Sequence, residues 1–324
     1  MNKGILFSGL IAMIAIPNIT SATNLQKGTA PFVVSNYAKT KYPIVMTPGY
    51  FGFTSLGPNA FGLDYWYQIL PDLARNGAVV YATQVSPVNS TEVRGEQLLQ
   101  QIDEVIALTG QPKVNLIGHS HGGPTIQYVE GVAPDKLASM TAIAGAMKGT
   151  TVANSLKNNA LLNITGKALL GYIIAPAIQI AEGNPTLPID YDASVNSLTV
   201  EGAAQFNLKF PTAAIPSSCN GIGQKITSNG IYHYSWMGNQ QVTNVLDLLD
   251  TPIELLTTVL MGNVGSHDGF VSTCSGNYGQ VIRNDYNLNH FDEINQTLGI
   301  KSFFAPDPIG LFRQQANRLK LEGL

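Results

Sequence analysis

Short apolar runs alternate with an amphipathic helical pattern in the first half of the chain. Residues 44–46 lead into a glycine-rich loop, and residues 78–82, 114–117 and 140–144 are further candidate strands. After Asn89 or Ser90 as the cap, apolar side chains recur at helical spacing up to Gly110, which favours a helix that ends there. The alternation predicts an α/β fold in which helices cover both faces of a mostly parallel sheet. The helical apolar positions are Leu98, Leu99, Ile102, Val105 and Ile106.

Residues 154–183 differ from the rest of the chain, because they carry a broad apolar stripe and few charges. Lys167, Gly171 and Pro176 argue against a membrane span. Two alternatives remain, a buried core helix and a mobile lid over an apolar active site. The stripe consists of Leu161, Leu162, Leu169, Leu170, Ile173, Ile174, Ala177 and Ile178.

The N-terminus is typical of a secretory signal peptide. Lys3 precedes an apolar run over residues 5–16, which is too short to cross a bilayer, and small and polar residues follow to about residue 22. Residues 1–22 are therefore predicted to direct secretion through the periplasm. Residues 23–324 are a usual length for a single α/β domain that carries insertions.

Charge and cysteine content narrow the expected partners. The formal net charge of −3 and the lack of a basic patch argue against nucleic acid as a partner. Charged residues make up 12% of the chain, against about 25% in typical soluble domains, which hints at an apolar substrate. Cys219 and Cys274 are the two cysteines, and an even count in an exported chain favours one disulfide over two buried thiols.

A serine between two glycines follows the strand at 114–117. In the segment 118–122, Gly-His-Ser-His-Gly, the strand-to-helix context predicts the nucleophile elbow of α/β-hydrolases at Ser120. Small residues at Gly118 and Gly122 let strand and helix pass closely around a strained serine. The alternative is an ordinary glycine turn with a surface serine.

A serine nucleophile needs an imidazole base, and in α/β-hydrolases the chain order is Ser, acid, His. The chain has five histidines. His119 and His121 flank the serine, His233 lies among aromatic residues, and His267 directly precedes the best acid. His290, in a polar segment late in the chain, is therefore the predicted base.

Asp268 is the predicted acid, because it lies in a turn with Gly269 after an apolar stretch. Asp250 and Asp285 are the runners-up, and Asp285 is only five residues before His290. An Asp-Gly turn without chemistry is the alternative. The oxyanion hole is predicted to use the backbone N–H groups of Tyr50 and His121.

The chain resembles the Pseudomonas-type secreted triacylglycerol lipases, which depend on a dedicated folding chaperone. The similarity extends from about Lys41 to Lys320. It implies a triad of Ser120, Asp268 and His290, which agrees with the reasoning from the residues, and a disulfide between the two cysteines. It rests on residues 63–66 (Leu-Asp-Tyr-Trp), 92–98, 111–123, 201–204, 234–236 and 313–319.

The resemblance also implies a structural calcium ion. Its ligands fall on the carboxylates of Asp247 and Asp292 and the main-chain carbonyls of Gln296 and Ile300, and such hard oxygens suit calcium. Without the resemblance, Asp292 is a solvated surface charge. Arg94 matches a family arginine that braces the oxyanion loop.

One departure concerns that loop, because the family usually has His-Gly where this chain has Pro48 and Gly49. Proline fixes the backbone and removes a side-chain donor, so the bracing of the loop is expected to differ. The expected function is a secreted lipase that acts as a monomer on acylglycerols at a lipid–water interface. The alternatives are a carboxylesterase or phospholipase, and a non-catalytic lipid-binding relative, which would lack a triad member.

Overall fold

The computed structural model describes residues 25–57, 63–247 and 251–324. The predicted signal peptide and Asp250 lie outside these residues. In chain order the strands and helices are β1 (Gln26–Lys27), β2 (Ile44–Thr47), β3 (Ser55–Leu56), β4 (Leu63–Asp64), α1 (Ile69–Arg75), β5 (Val80–Ala82), α2 (Thr91–Thr109), β6 (Val114–His119), α3 (Gly122–Val132), β7 (Leu137–Ile143), α4 (Thr151–Asn158), α5 (Ala160–Gly166), a π-helical stretch (Lys167–Ile174), α6 (Ala175–Ala181), α7 (Tyr191–Leu198), α8 (Val200–Lys209), β8 (Tyr232–Gly238), α9 (Thr251–Met261), α10 (Thr273–Gly276), β9 (Gln280–Tyr286) and α11 (Pro308–Leu321).

A seven-stranded sheet forms the centre of the molecule in the order β1-β5-β2-β6-β7-β8-β9. Strand β1 is antiparallel to β5, and the other neighbours are parallel. The four strands predicted from the apolar runs are β2, β5, β6 and β7. The predicted α/β fold with a mostly parallel sheet is confirmed.

Helices cover both faces of the sheet. Because side chains alternate along a strand, each strand contributes residues to the cores on both faces. Ile44 and Met46 of β2 pack in a core cluster with α1 and α11, whereas Val45 packs with α2 and α3 on the other face. The predicted helix is α2. The Ser90 hydroxyl accepts a hydrogen bond from the Val93 amide at 3.3 Å, and Gly110 ends the helix at a φ of 66°.

The carboxyl ends of the parallel strands meet at one edge of the sheet. Strand β6 leads into the elbow and β7 leads toward α4. Strands β8 and β9 lead into the segments 239–247 and 287–307. Residues far apart in sequence therefore meet at this edge, where α/β folds place their ligand sites.

The apolar stripe lies on the surface. The helical stretch Ala160–Ala181 is 17% buried over its most apolar window, and by length and composition it is the one described helix that could cross a membrane. Ile173 is 61% exposed, and Leu169 is 52% exposed. The alternative of a buried core helix is therefore wrong for this segment.

Cys219 and Cys274 form a disulfide that joins positions 55 residues apart. Cys274 lies in α10, directly before β9, and Cys219 lies in the long connection between α8 and β8. A cross-link over a loop of this length is worth about 4 kcal/mol in the chain-entropy model. The bond thus restrains the unfolded chain close to the segment that carries Asp268.

Candidate active site

Ser120 lies at the turn between β6 and α3 with a φ of 56°, a left-handed conformation that is strained for serine. A Cβ on Gly118 would collide with the carbonyl of Gly122, so only glycine lets strand and helix pass here. The Ser120 amide donates to the Ile143 carbonyl at 3.0 Å, which ties the turn to β7. The serine side chain is only half-buried, so a substrate can reach it.

His290 and Asp268 form a buried hydrogen-bonded pair. His290 Nδ1 lies 2.7 Å from Asp268 Oδ2, and the His290 amide donates to the Asp268 carbonyl at 3.0 Å. The second carboxylate oxygen accepts from the amides of Phe270 at 2.9 Å and Val271 at 2.8 Å. Gly269 has a φ of 106°, which lets the chain turn back so that the next two amides reach the Asp268 carboxylate. These contacts fix one tautomer and one orientation of the His290 ring.

Asp285, His233 and His267 have other hydrogen-bond or ion-pair partners. Asp285 is exposed and pairs with Arg283 on β9. His233 is fully buried, and its Nε2 lies 2.9 Å from Glu130 Oε1. His267 accepts a hydrogen bond from the Gly269 amide at 3.1 Å through Nδ1. The His119 ring of the elbow lies 4.6 Å from the ring of His290, which pairs with Asp268, whereas Asp285 and His233 pair with other residues.

Arg94 holds the loop that follows β2. Its Nη2 donates to the carbonyls of Pro48 at 2.6 Å and Gly49 at 3.0 Å, and its Nη1 donates to the Ser86 carbonyl. Burial lowers the pKa of Arg94 to about 10, which leaves it charged at neutral pH. The bracing expected from the resemblance is therefore present, and it acts on main-chain carbonyls rather than on the side chain of residue 48.

The predicted oxyanion amides flank the serine. A Cβ on Gly49 would lie 2.6 Å from the Ser120 Cβ, so the loop that carries Tyr50 packs against Ser120. Within the described part of the chain, neither the Tyr50 nor the His121 amide donates a hydrogen bond to another protein group. The His121 ring is buried and bonds to the Thr91 hydroxyl at 2.9 Å. Both amides are therefore available to a developing oxyanion.

Three buried polar residues at this site escaped the sequence reasoning: Tyr65, His119 and Glu293. The His119 ring lies 4.6 Å from the His290 ring, and burial lowers the pKa of His119 well below its ordinary value. Burial raises the pKa of Glu293 well above its ordinary value, which favours the neutral acid. The signals in the sequence were the position of His119 beside Ser120 and the inclusion of Tyr65 in the motif at 63–66, and neither reveals where the side chain points.

The predicted calcium ligands come from residue 247 and from the segment that follows His290. The Thr297 amide donates to Asp247 Oδ2 at 3.3 Å, and the Asn289 amide donates to Asp292 Oδ2 at 3.2 Å. Both aspartates are buried, Gln296 is nearly buried, and Ile300 is 38% exposed. The Asp292 side chain is thus not the solvated surface charge of the alternative interpretation.

A separate group of residues has metal-ligating atoms close together. His119, His290 and Glu293 are buried and place such atoms within 4.8 Å of one another. The group contains none of the four predicted calcium ligands. Its His290 Nδ1 faces Asp268, and its His119 Nε2 faces the His290 carbonyl at 3.1 Å.

Comparison with known proteins defines the class. A family model described as the alpha/beta hydrolase fold matches residues 42–172. A Staphylococcus hyicus lipase structure superposes with a TM-score of 0.63 at 17% identity, covering 88% of this chain and 97% of that one. A Bacillus licheniformis lipase in mature form gives a TM-score of 0.57, also at 17% identity, covering 85% and 94%. At this identity the two structures show the fold alone, and the fold is that of an α/β-hydrolase.

Sequence relatives define the family. The chain is 43% identical to a triacylglycerol lipase of Vibrio cholerae over 97% of this chain and 99% of the relative. It is 34% identical to a triacylglycerol lipase of Pseudomonas fragi, over 88% and 98%. The chain therefore belongs to the family of bacterial triacylglycerol lipases, carboxylic ester hydrolases with the α/β-hydrolase fold.

Proposed function

We propose that this protein hydrolyses the ester bonds of long-chain acylglycerols through an acyl-enzyme on Ser120. The main support is that the strained serine, the His290–Asp268 pair and two amides without a protein acceptor lie at the carboxyl-terminal end of the parallel strands. The named substrate of the relatives supports acylglycerols as the substrate class. Since all three triad residues are present, a non-catalytic relative is disfavoured.

In the proposed reaction, Ser120 Oγ attacks the ester carbonyl while the His290 imidazole accepts its proton. The amides of Tyr50 and His121 donate to the oxyanion of the tetrahedral intermediate. Asp268 holds the ring and stabilises its positive charge. His290 then protonates the leaving alcohol as the C–O bond breaks, which leaves the acyl group on Ser120. In the second half, His290 accepts a proton from water as the water attacks the acyl carbonyl, and then returns that proton to Ser120 Oγ as the carboxylic acid leaves.

Rates on two substrates test this function. We expect turnover of emulsified long-chain triglyceride to exceed turnover of a soluble short-chain ester, measured by titration of released acid. The carboxylesterase alternative predicts the reverse preference. A phospholipase would instead prefer phosphatidylcholine vesicles over the triglyceride emulsion.

The apolar stripe is proposed to be a lid that binds the lipid surface. Its exposed side chains lie in the segment that follows β7, at the same edge as Ser120. Glu182, just after α6, accepts hydrogen bonds from the Thr54 amide and from Gln84 Nε2, which attaches this end of the lid to the domain. Exposed apolar area costs about 25 cal/mol per Å² in water but not at a lipid surface. A lipid surface therefore favours a lid with its stripe exposed.

Ile173→Asp tests the lid. We expect about a tenfold loss of activity on emulsified triglyceride, the equivalent of 1.4 kcal/mol, with little change on a soluble ester. Leu108→Asp is a matched control, because Leu108 is 63% exposed near the end of α2 and Ile173 is 61% exposed. Equal losses from both variants, or no rise in rate when a partly soluble ester passes its solubility limit, would contradict the lid.

A single calcium ion is proposed to be held by Asp247, Asp292 and the carbonyls of Gln296 and Ile300. Both carboxylates are buried, and Asp247 Oδ2 accepts a hydrogen bond from the Thr297 amide, which belongs to the same peptide as the Gln296 carbonyl. These observations support the proposal. All the donors are hard oxygens, which calcium prefers. The ion would fix the loop after His290 and would take no part in the chemical step.

Chelation tests the ion. At a hundredfold excess of calcium over Kd, bound ion stabilises the fold by about 2.7 kcal/mol, so EDTA is expected to lower Tm by about 5 °C. Asp292→Ala should abolish this shift, whereas Asp285→Ala, which removes an exposed acid on β9, should retain it. A Tm that is the same in EDTA and calcium would remove the site from the proposal.

Secretion completes the proposal. The signal-peptide pattern over residues 1–22 and the Cys219–Cys274 disulfide both suit export to an oxidising compartment. The proposed partners are a dedicated folding chaperone during export and the lipid–water interface afterwards. We expect the mature protein to act as a monomer without nucleic acid.

A further inference from the structure

Three hydrogen bonds connect the oxyanion loop to the catalytic histidine. The Gly49 amide donates to the Tyr65 hydroxyl at 2.8 Å, and that hydroxyl lies 2.7 Å from His119 Nδ1. His119 Nε2 lies 3.1 Å from the His290 carbonyl oxygen. All of these contacts are buried, with Tyr65 6%, His119 2% and His290 5% exposed. The connected residues come from four separate parts of the chain.

The Gly49 amide and the His290 carbonyl, at the two ends of this chain of hydrogen bonds, fix which atom donates in each bond. The Gly49 amide can only donate, and the His290 carbonyl can only accept. His119 must therefore carry its proton on Nε2, which leaves Nδ1 to accept the single proton of Tyr65. This arrangement needs a neutral His119, and burial lowers its pKa well below the ordinary value. Only one set of proton positions satisfies all three contacts.

The two ends of this hydrogen-bonded chain lie next to the Tyr50 amide and the His290 imidazole, which take part in the proposed reaction. The Pro48–Gly49 peptide has its carbonyl bound by Arg94 and its N–H bound by Tyr65, so the plane of this peptide is fixed. The next peptide carries the Tyr50 amide. At the other end, the bound carbonyl belongs to the same residue as the catalytic imidazole.

We propose that Tyr65 and His119 are positioning residues, which hold the oxyanion loop and the His290 loop in a fixed relative position. This inference rests on the proposed function. Neither side chain acts on the substrate in this proposal. Their hydrogen bonds set the distance between the group that accepts the serine proton and the amide that receives the oxyanion. Small displacements of such groups cost large factors in rate.

A purely structural role is the competing explanation, because both rings also pack. The Tyr65 ring contacts Trp66 and His119 at centroid distances of 5.1 Å and 5.9 Å. Tyr65→Phe keeps this packing and removes only the hydroxyl that connects Gly49 to His119. His119→Phe keeps a ring and removes both nitrogen atoms.

The experiment compares Tyr65→Phe, His119→Phe and the double variant on p-nitrophenyl butyrate, with kcat, KM and Tm measured for each. We expect each single variant to lower kcat about tenfold with KM within about twofold. Because the residues act in series, the double variant should lose no more than the worse single variant. Tyr278→Phe is the matched control, since Tyr278 is fully buried and its hydroxyl bonds to Glu130 at 3.4 Å. Its kcat should equal that of the natural protein.

Two results would overturn the proposal. One is an unchanged kcat in Tyr65→Phe, and the other is a loss in the double variant equal to the product of the two single losses, about a hundredfold. If either single variant fails to fold, the kcat of the other decides, and an unchanged value overturns the proposal. Failure of the proposed function is distinct, because the natural protein would then hydrolyse no ester or Ser120→Ala would remain active.

Discussion

Replacing Ser120 with alanine is expected to reduce kcat by several orders of magnitude, about 10⁶-fold if the triad acts as a unit, while the protein remains folded. The hydroxyl is the proposed nucleophile, and no other group on the elbow replaces it. Substrate binding and the oxyanion amides should leave a residual rate about 10³-fold above that in water. Active-site-titrated kcat on a soluble ester measures the effect.

The control for this prediction is Ser139→Ala. Ser139 is fully buried on β7, and its hydroxyl donates to Asn115 Oδ1 at 2.7 Å, at the end of the strand away from the elbow. This variant should keep its kcat even if its Tm falls. Substantial ester hydrolysis by a folded Ser120→Ala protein would refute the acyl-enzyme on Ser120.

Gly49→Val is expected to give the second largest effect, a loss of at least about 10²-fold in kcat. A Cβ at this position would lie 2.6 Å from Ser120 Cβ, 3.0 Å from the Tyr65 hydroxyl and 3.1 Å from the His119 carbonyl. The loop must then move away from the nucleophile, and the Tyr50 amide moves with it. Kinetics on a soluble ester, together with Tm, separate lost catalysis from lost stability.

Pro48→His serves as the comparison, because it introduces the residue that the resemblance to secreted lipases leads one to expect at this position. Arg94 binds the carbonyl of residue 48, which every residue type provides, so kcat should stay within about threefold of the natural protein. Equal and small effects of Pro48→His and Gly49→Val would show that this loop does not hold the oxyanion.

Local sequence signals predicted the parts of the molecule that depend on neighbours along the chain. The apolar runs predicted four strands of the sheet, Gly110 predicted the end of α2, and the choice of Asn89 or Ser90 as cap placed its start within one residue. The elbow was readable because its steric requirement falls on Gly118 and Gly122, two residues either side of the serine. Chain order then selected His290 and Asp268 without any knowledge of distance.

The exposure of the apolar stripe could not be read from its pattern. A helix with this composition suits a buried core or a lipid-facing surface equally well, because side-chain hydrophobicity is the same in both cases. Whether the helix is buried or lies on the surface depends on whether another helix or strand packs against its apolar side. In the structure Ile173 and Leu169 face outward. Their segment follows β7, at the carboxyl-terminal end of the parallel strands.

The sequence by itself therefore determined the α/β fold and the choice of Ser120 as the predicted nucleophile, because each rests on periodicity or on spacing over a few residues. Only the tertiary structure decided how the site is held. Gly49, Tyr65, His119 and His290 are separated by 16, 54 and 171 residues. Their contact requires that β2, β6 and β9 end at the same edge of the central sheet, and that Tyr65, which follows β4 of a separate two-stranded sheet, packs against that edge. No local pattern encodes such contacts, since they form only when the elements that carry them have packed.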